Sequence, residues 1–315
     1  MITNNSILLT LASGKPVSLP ELAEIGGMST DLMAKHLDTL IAAGVDIKQD
    51  QGVISWVEPF KCLDSRLIQN SLSDYSELCV KVSDCLPSTN SVLADLECID
   101  KVIVLCEYQR QGRGRHQRQW LSPVGKNLYL SFGWHLNVDL LHPAISLCIG
   151  SAIVSVLRQA GVKNAGMKWP NDLYASRSKV GGILIESKTD KSMAKLIIGV
   201  GINVLDQSFP DDFSVAATTI EKESGLVLDR NDLVVQVIAA IYETMQKIET
   251  GHITQLLERW SQYDLSYNQA VDVHARGEVR SGVARGIDTM GNLQVEINNS
   301  LEVFDSAEIS LRITQ

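Results

Sequence analysis

Residues 102–120 read VIVLCEYQRQGRGRHQRQW. The run 102–106 is apolar and strand-like, and the residues after it form a short loop rich in arginine and glycine. Glycine lets the backbone fold closely around a ligand and present its N–H groups. The planar arginine guanidinium suits phosphate and carboxylate. The stretch therefore predicts a strand that leads into an anion-binding loop, in a chain whose net charge is −9.

Two other interpretations of this loop are an exposed arginine–glycine segment that touches RNA and a solvated turn. Trp120 and the strand-like run 127–131 (NLYLS) follow the loop closely. They embed it in a folded domain, which disfavours both interpretations. The cations of the loop are Arg110, Arg113, Arg115 and Arg118.

Two segments beyond the loop end or begin strands with polar residues. In 167–174 (MKWPNDLY), a proline ends a strand, and Asn171 and Asp172 follow. Asparagine suits a purine or ribose and aspartate suits a metal or an ammonium group, although Pro-Asn-Asp alone is more typical of an ordinary turn. In 179–186 (KVGGILIE), Lys179 precedes a strand whose first residues are small enough for a ligand to lie against the backbone. A lone lysine at a strand edge more often prevents edge-to-edge pairing.

Two shorter segments complete the set of candidate site residues. Residues 199–203 (GVGIN) form a glycine-bearing strand that ends in Asn203. Residues 88–90 (STN) are most simply the N-cap of the helix that follows.

The pattern of elements divides the chain into three predicted domains. Over 1–60, a Ser-x-x-Glu capping box at Ser18, a second cap at Ser29 and a hairpin around 48–52 predict a winged helix-turn-helix. A small helical domain for protein contact is the alternative. Over 66–268, apolar strands alternate with long helices, which predicts an α+β domain with a sizeable sheet. From 270 to 315, short alternating runs predict five strands of a small β-barrel.

The composition excludes several classes of protein. The six cysteines form no C-x-x-C pair and have no spacing with histidine that suggests zinc, so we expect no site for a resident metal ion such as zinc, and free thiols in a reducing cytoplasm. No signal-peptide pattern opens the chain, and the apolar stretch 144–157 is too short to span a membrane. We therefore expect a cytoplasmic protein without membrane contact. No Walker pattern, G-x-G-x-x-G or Ser/His/Asp set is present.

In this order, the motifs resemble those of the biotin–protein ligase family, and the resemblance covers essentially the whole chain. The segments that carry it are 88–90 (STN), 107–120 (EYQRQGRGRHQRQW), 122–131 (SPVGKNLYLS), 168–174 (KWPNDLY), 179–186 (KVGGILIE) and 199–204 (GVGINV). The N-terminal domain and the segments 285–288 (RGID) and 308–312 (EISLR) are similar to those of bifunctional bacterial members that also repress the biotin operon. The implied fold is α+β, with an N-terminal winged helix-turn-helix, a central domain related to class II aminoacyl-tRNA synthetases and a C-terminal SH3-like barrel.

The resemblance also implies a reaction and its residues. The enzyme would form biotinoyl-5′-AMP from biotin and ATP with Mg²⁺, and transfer biotin to a lysine of a biotin carboxyl carrier protein. Lys179 and Arg115 would be catalytic. Biotin would be bound by Ser88, Thr89, Asn90, Gln109, Arg113, Gly114, Arg115, Lys179 and Gly182. ATP would be bound by Arg115, Trp120, Asn171, Asp172, Lys179 and Asn203.

The resemblance further implies a homodimer when the adenylate is bound, and operator DNA of biotin-synthesis genes as a partner. DNA would be contacted by Ser29, Thr30, Lys35 and His36. The wing 49–52 (QDQG) lacks the basic residue typical of the family, so a ligase whose winged helix no longer binds DNA is one alternative. A non-enzymatic regulator that senses a biotin-like ligand is another, disfavoured by the complete set Arg113, Arg115, Asp172 and Lys179. A lipoate ligase is the nearest enzymatic competitor.

Overall fold

The computed structural model describes residues 7–210, 215–275, 278–305 and 309–313. Its helices are α1 (Ile7–Ala12), α2 (Leu19–Gly26), α3 (Thr30–Ala42), α4 (Ser65–Ser71), α5 (Thr89–Ala94), α6 (Ile145–Gln159), α7 (Ile220–Ser224), α8 (Arg230–Glu249) and α9 (Ile253–Glu258). Its strands are β1 (Val17–Ser18), β2 (Ile47–Asp50), β3 (Val53–Trp56), β4 (Cys79–Leu86), β5 (Val102–Gln109), β6 (Asn127–Asn137), β7 (Ala165–Lys168), β8 (Asp172–Ala175), β9 (Ser178–Asp190), β10 (Met193–Asn203), β11 (Ala270–Ala275), β12 (Glu278–Ile287), β13 (Leu293–Ile297), β14 (Ser300–Phe304) and β15 (Ile309–Ile313).

The chain folds into two compact units. The first contains Met1–His135, Lys195–Gln207 and Val227–Val235, and the second contains Leu136–Ala194, Ser208–Leu226 and Gln236–Gln315. Within the ranges that the structure describes, no helix is both long enough and apolar enough to cross a membrane.

The first unit begins with helices α1 to α3 and a small antiparallel sheet of order β1-β3-β2. The predicted capping box is confirmed: Ser18 caps α2 by accepting from the Glu21 backbone N–H, while the Glu21 carboxylate accepts from the Ser18 backbone. The predicted cap of α3 is also confirmed, because the Ser29 hydroxyl accepts from the backbone of Leu32. Helices α2 and α3 therefore begin where the sequence predicts them, and the hairpin 47–56 contains the predicted turn. The strand Val17–Ser18 was not predicted.

The rest of the first unit is built on strands β4, β5, β6 and β10, which pair in that order. Strands β4 and β5 are parallel and joined through α5, while β5 and β6 are antiparallel. Parallel neighbours end at the same edge of a sheet, so the residues that follow β4 lie beside the end of β5. Strand β4 was missed by the sequence analysis, whereas β5, β6 and β10 contain the predicted runs and extend beyond them.

The second unit contains strands β9, β8 and β7, paired in that order. Helix α6 is buried along most of its length, as its apolar sequence predicts. Strands β11 to β15 are the five predicted strands, and they form an antiparallel sheet of order β14-β13-β12-β11-β15. The fold is therefore a mixed α/β domain followed by a small β-sheet domain, in agreement with the coarse prediction.

Candidate active site

The first group of predicted site residues lies in the first unit, at the carboxyl ends of β4 and β5. Parallel pairing places Leu86 opposite Gln109, the last residue of β5. Ser88, Thr89 and Asn90 follow β4 at the start of α5, and all three are buried. Ser88 occupies the N-cap position, but its side chain makes no capping hydrogen bond. Ser88 thus lies at the predicted N-cap position, but its hydroxyl does not cap the helix.

Hydrogen bonds join this group into an amide–hydroxyl cluster, made of Thr89, Asn90, Gln109, Ser122 and Ser131. Gln109 Oε1 accepts from the Thr89 backbone N–H at 2.9 Å and lies 3.2 Å from Thr89 Oγ1. Gln109 Nε2 donates to Ser122 Oγ at 3.2 Å. Ser131 Oγ lies 2.7 Å from Thr89 Oγ1 and 2.5 Å from Asn90 Oδ1. Each member is held by another, as buried polar groups require.

Two members of the cluster were not assigned a role from the sequence. Ser122 and Ser131 are buried, and both belong to the segment 122–131 that carries the family resemblance. Their position in that motif is the feature of the sequence that could have indicated a role in the site. The pattern NLYLS predicts a strand but does not indicate that its serine meets Thr89.

The arginine–glycine loop is a formed turn in the first unit. The Gly114 N–H donates to the Arg118 carbonyl at 2.7 Å, and the Trp120 N–H donates to the Gly112 carbonyl at 2.8 Å. His116 has φ 54°, in the left-handed region. Residues 116–119 are exposed, whereas Arg113 and Arg115 are partly buried. Arg113 and Arg115 are therefore partly shielded from solvent, whereas the tip of the loop faces solvent.

The side chains predicted for the nucleotide also have definite positions in the first unit. Trp120 lies against Gly201 of β10 so closely that a Cβ there would be 2.6 Å from the indole ring, so only glycine fits. Asn203, at the end of β10, is 6% exposed and accepts from Asn127 Nδ2 at 3.4 Å. Asn127 Oδ1 in turn accepts from the backbone N–H of Val204 at 3.2 Å. The buried Asn127 thus holds Asn203, a connection that the sequence did not indicate.

The second group of predicted residues lies in the second unit, on the antiparallel strands β8 and β9. Lys179 Nζ is 2.6 Å from Asp172 Oδ1, and both side chains are 25% exposed. We call these two residues the lysine–carboxylate pair. A Cβ at Gly182 would be 3.4 Å from Lys179 Cε and 3.5 Å from Asp172 Oδ1, which places Gly182 beside the pair.

The strand edge around the lysine–carboxylate pair is held by its neighbours. Asn171 Nδ2 donates to the Ile183 carbonyl at 2.7 Å, and the Ile183 N–H donates to the Asn171 carbonyl at 3.0 Å. Tyr174 is buried near Asp172, and burial, followed by the charge of Asp172, raises the pKa of its phenol. Tyr174 is therefore neutral at physiological pH and adds no negative charge beside Asp172.

The residues predicted to contact DNA differ in their surroundings. Ser29, Thr30 and Lys35 are exposed on or next to α3. His36 is half-buried, and its Nε2 lies 3.4 Å from Oδ2 of Asp84, a buried residue of β4. The structure thus places His36 against a carboxylate of the same unit, while the other three side chains face solvent.

Two family models match the chain and define its class. Residues 82–203 match the Biotin/lipoate A/B protein ligase family, and residues 267–312 match the Biotin protein ligase C terminal domain. The first match contains both groups of predicted site residues, including the loop and the lysine–carboxylate pair. The class is that of biotin and lipoate ligases.

Individual relatives narrow this class. The bifunctional ligase/repressor BirA of Salmonella typhimurium is 35% identical over 316 residues, which cover 98% of this chain and 97% of that protein. BirA of Escherichia coli is 35% identical over 315 residues, which cover 97% and 96%. The structure of biotin protein ligase from Aquifex aeolicus in complex with biotin and ATP superimposes with a TM-score of 0.67 at 26% identity, covering 75% of this chain and 99% of that one. The chain belongs to the biotin protein ligase family.

Proposed function

We propose that the protein is an ATP-dependent biotin–protein ligase, which makes biotinoyl-5′-AMP and transfers biotin to a lysine of a biotin carboxyl carrier protein. The amide–hydroxyl cluster is the observation that supports biotin as the substrate. A cyclic urea presents N–H donors and a carbonyl acceptor, and such groups are bound by fixed amides and hydroxyls in a buried pocket. Ser88, Thr89, Asn90 and Gln109 are the proposed contacts to this ring, with Gly182 proposed beside the ring system.

The first chemical step brings two anions together. An oxygen of the biotin carboxylate attacks the α-phosphorus of ATP, and pyrophosphate leaves. Positioning and concentrated positive charge lower the barrier of such a step. Lys179 and Arg115 are the proposed catalytic cations, and Arg113 with Gly114 is proposed to close over the biotin carboxylate and the adenylate. Such closure would keep water from the reactive mixed anhydride.

The nucleotide is proposed to lie against Trp120, with Asn171, Asp172 and Asn203 lining its site. ATP enters with Mg²⁺, which takes one or two carboxylates besides the phosphate oxygens. The salt bridge to Lys179 engages Oδ1 of Asp172, and the side chain is 25% exposed, so this carboxylate fits a magnesium ligand. The ion would add positive charge at the phosphates.

In the second step, the amine of the carrier lysine attacks the acyl carbon of biotinoyl-5′-AMP, and AMP leaves. The carrier supplies the nucleophile, so the ligase needs none of its own. This agrees with the sequence, which has no Ser/His/Asp set.

Incubation with ATP, Mg²⁺ and a carrier domain, with either biotin or lipoate, tests the proposed reaction. Mass spectrometry of the carrier should find the mass of one biotinoyl group and no lipoyl group. Omission of ATP is the control. A carrier that gains lipoate instead of biotin, or gains neither, would contradict the assignment.

A second proposed function is biotin-responsive repression, with 7–56 as a winged helix-turn-helix. The exposed Ser29, Thr30 and Lys35 support contacts to DNA, and His36 is the remaining predicted contact. Residues 7–56 contain three lysines and no arginine against six carboxylates, so one copy should hold DNA weakly. Two copies on a palindromic site act through effective concentration. We therefore propose that DNA is bound by a homodimer that forms when the adenylate is present.

A mobility shift with DNA from upstream of biotin-synthesis genes tests this second function. We expect a specific complex with biotin plus ATP and none without them. Lys35→Ala should weaken the complex and leave carrier biotinylation unchanged. If no ligand-dependent complex forms even at low salt, the protein is a ligase alone.

A further inference from the structure

The buried Ser131 connects two residues of the amide–hydroxyl cluster. It lies on β6, is fully buried, and places its Oγ 2.5 Å from Asn90 Oδ1 and 2.7 Å from Thr89 Oγ1. Asn90 is confined on its other side, because a Cβ at Gly199 would be 2.3 Å from Asn90 Oδ1. The Ser131 hydroxyl therefore sits between two polar atoms that have little room to move.

The number of protons available fixes the direction of these hydrogen bonds. An amide oxygen only accepts, so Ser131 must donate its single hydroxyl proton to Asn90 Oδ1. The 2.7 Å contact between Ser131 and Thr89 then requires Thr89 to donate. That contact is shorter than the 3.2 Å from Thr89 Oγ1 to Gln109 Oε1, which already accepts from the Thr89 backbone. With its proton directed inward, Thr89 can meet a ligand only as an acceptor.

Gln109 can donate a hydrogen bond to a ligand, whereas Thr89 can only accept one. Its Oε1 accepts a hydrogen bond from the Thr89 backbone N–H, and its Nε2 donates one of its two protons to Ser122 Oγ. The other amide proton can be donated to a ligand. The Thr89 hydroxyl, as an acceptor, matches an N–H group of a cyclic urea. The Gln109 amide, as a donor, matches the carbonyl of the same ring.

We propose that Ser131 is a positioning residue that determines substrate specificity. It holds the Thr89 hydroxyl as an acceptor, so the site selects a ring that carries an N–H donor. A dithiolane ring, as in lipoate, has no such donor and is disfavoured. This inference rests on the proposed binding of biotin by Thr89 and Gln109.

Steady-state kinetics of pyrophosphate release by Ser131→Ala test the proposal. We expect the KM for biotin to rise roughly tenfold, because the Thr89 hydroxyl loses the shorter of the two contacts that hold its proton inward. The kcat at saturating biotin and the KM for ATP should change less than twofold. Ser83→Ala is the matched control, because Ser83 Oγ is buried on β4 without a hydrogen-bond partner, and its KM for biotin should equal that of the wild type.

A double-mutant cycle separates positioning from simple packing. In a Thr89→Ala background, Ser131→Ala should raise the KM for biotin less than twofold, because Ser131 acts through Thr89. If Ser131→Ala does not fold, Ser131→Cys keeps the volume, weakens the donor and should raise the KM in the same direction. An unchanged KM for biotin in the folded variant, or additive effects in the cycle, would overturn the role of Ser131. A wild-type protein that does not activate biotin would instead refute the proposed function.

Discussion

Replacing Arg230 with methionine should strongly destabilise the first unit. Arg230 Nη1 lies 2.6 Å from Glu107 Oε2, and the two side chains are 2% and 1% exposed. The guanidinium also donates to the carbonyls of Asn127 at 3.2 Å and Lys61 at 2.8 Å. Glu107 Oε1 accepts from the Leu63 N–H at 2.6 Å, so the pair fixes the segment that joins β3 to α4.

The magnitude follows from burial. Removing one partner of a buried ion pair leaves an uncompensated charge and costs about 3–5 kcal/mol. The first unit has about 160 residues, a size at which each kcal/mol lowers the Tm by roughly 2–4 °C. We therefore expect the Tm of this unit to fall by about 10 °C in Arg230→Met.

Thermal unfolding followed by circular dichroism, in the presence and absence of biotin, measures this change. Lys61→Ala is the matched control, because Lys61 pairs with Asp229 in the same region but its side chain is 71% exposed. An exposed ion pair contributes little, so the control should unfold close to the wild-type temperature. Replacing both Arg230 and Glu107 with apolar residues should recover most of the loss.

A small effect would refute this reasoning. If Arg230→Met unfolds within about 2 °C of the wild type, the buried pair does not stabilise the unit as argued. If the double replacement is no more stable than Arg230→Met, the loss comes from the packing of Arg230 and not from the unpaired charge of Glu107.

Three further predictions concern the proposed site and the second unit. Lys179→Ala should lower the rate of adenylate formation by roughly 100-fold, measured as biotin-dependent pyrophosphate release, since one preorganised charge contributes about 3 kcal/mol; Lys188→Ala, an exposed lysine on the same strand, should be fully active. Trypsin should cleave the loop 110–118 readily in the free protein and more slowly with biotin and ATP, because bound anions relieve the repulsion among its arginines; equal cleavage would contradict this. Gly291→Ala should lower the Tm more than Gly251→Ala. Both glycines have φ near +80°, but a Cβ at Gly291 would be 2.5 Å from the Cβ of Ala144, whereas a Cβ at Gly251 would have no atom within 4 Å.

Local patterns in the sequence were sufficient to predict most of the helices and to propose the site residues. The caps at Ser18 and Ser29 are made by residues three positions apart, so the sequence carries both partners together. The ordered motifs also indicated the family. The patterns also indicate Lys179 and Asp172, which lie 2.6 Å apart, because each adjoins a strand that its own sequence predicts.

Only the tertiary structure decided which distant residues meet. Strand β4 (CVKVSDCL) was missed because its polar residues interrupt an apolar run, and they are buried by partners far away in the chain. Asp84 of this strand accepts from the backbone of Ile7 and contacts His36, which had been predicted as a DNA contact.

Sequence patterns likewise do not show which partners meet in the buried ion pair of Glu107 and Arg230 or in the amide–hydroxyl cluster. Glu107 and Arg230 are 123 positions apart, and Ser131 lies 42 positions from Thr89. Hydrophobic periodicity specifies which face of an element is buried, but not which element covers it. The sequence therefore determined most of the elements and the family. Strand pairing in the folded chain determined the hydrogen-bond partners of the buried polar residues, because a buried polar group must be satisfied by whatever the fold brings beside it.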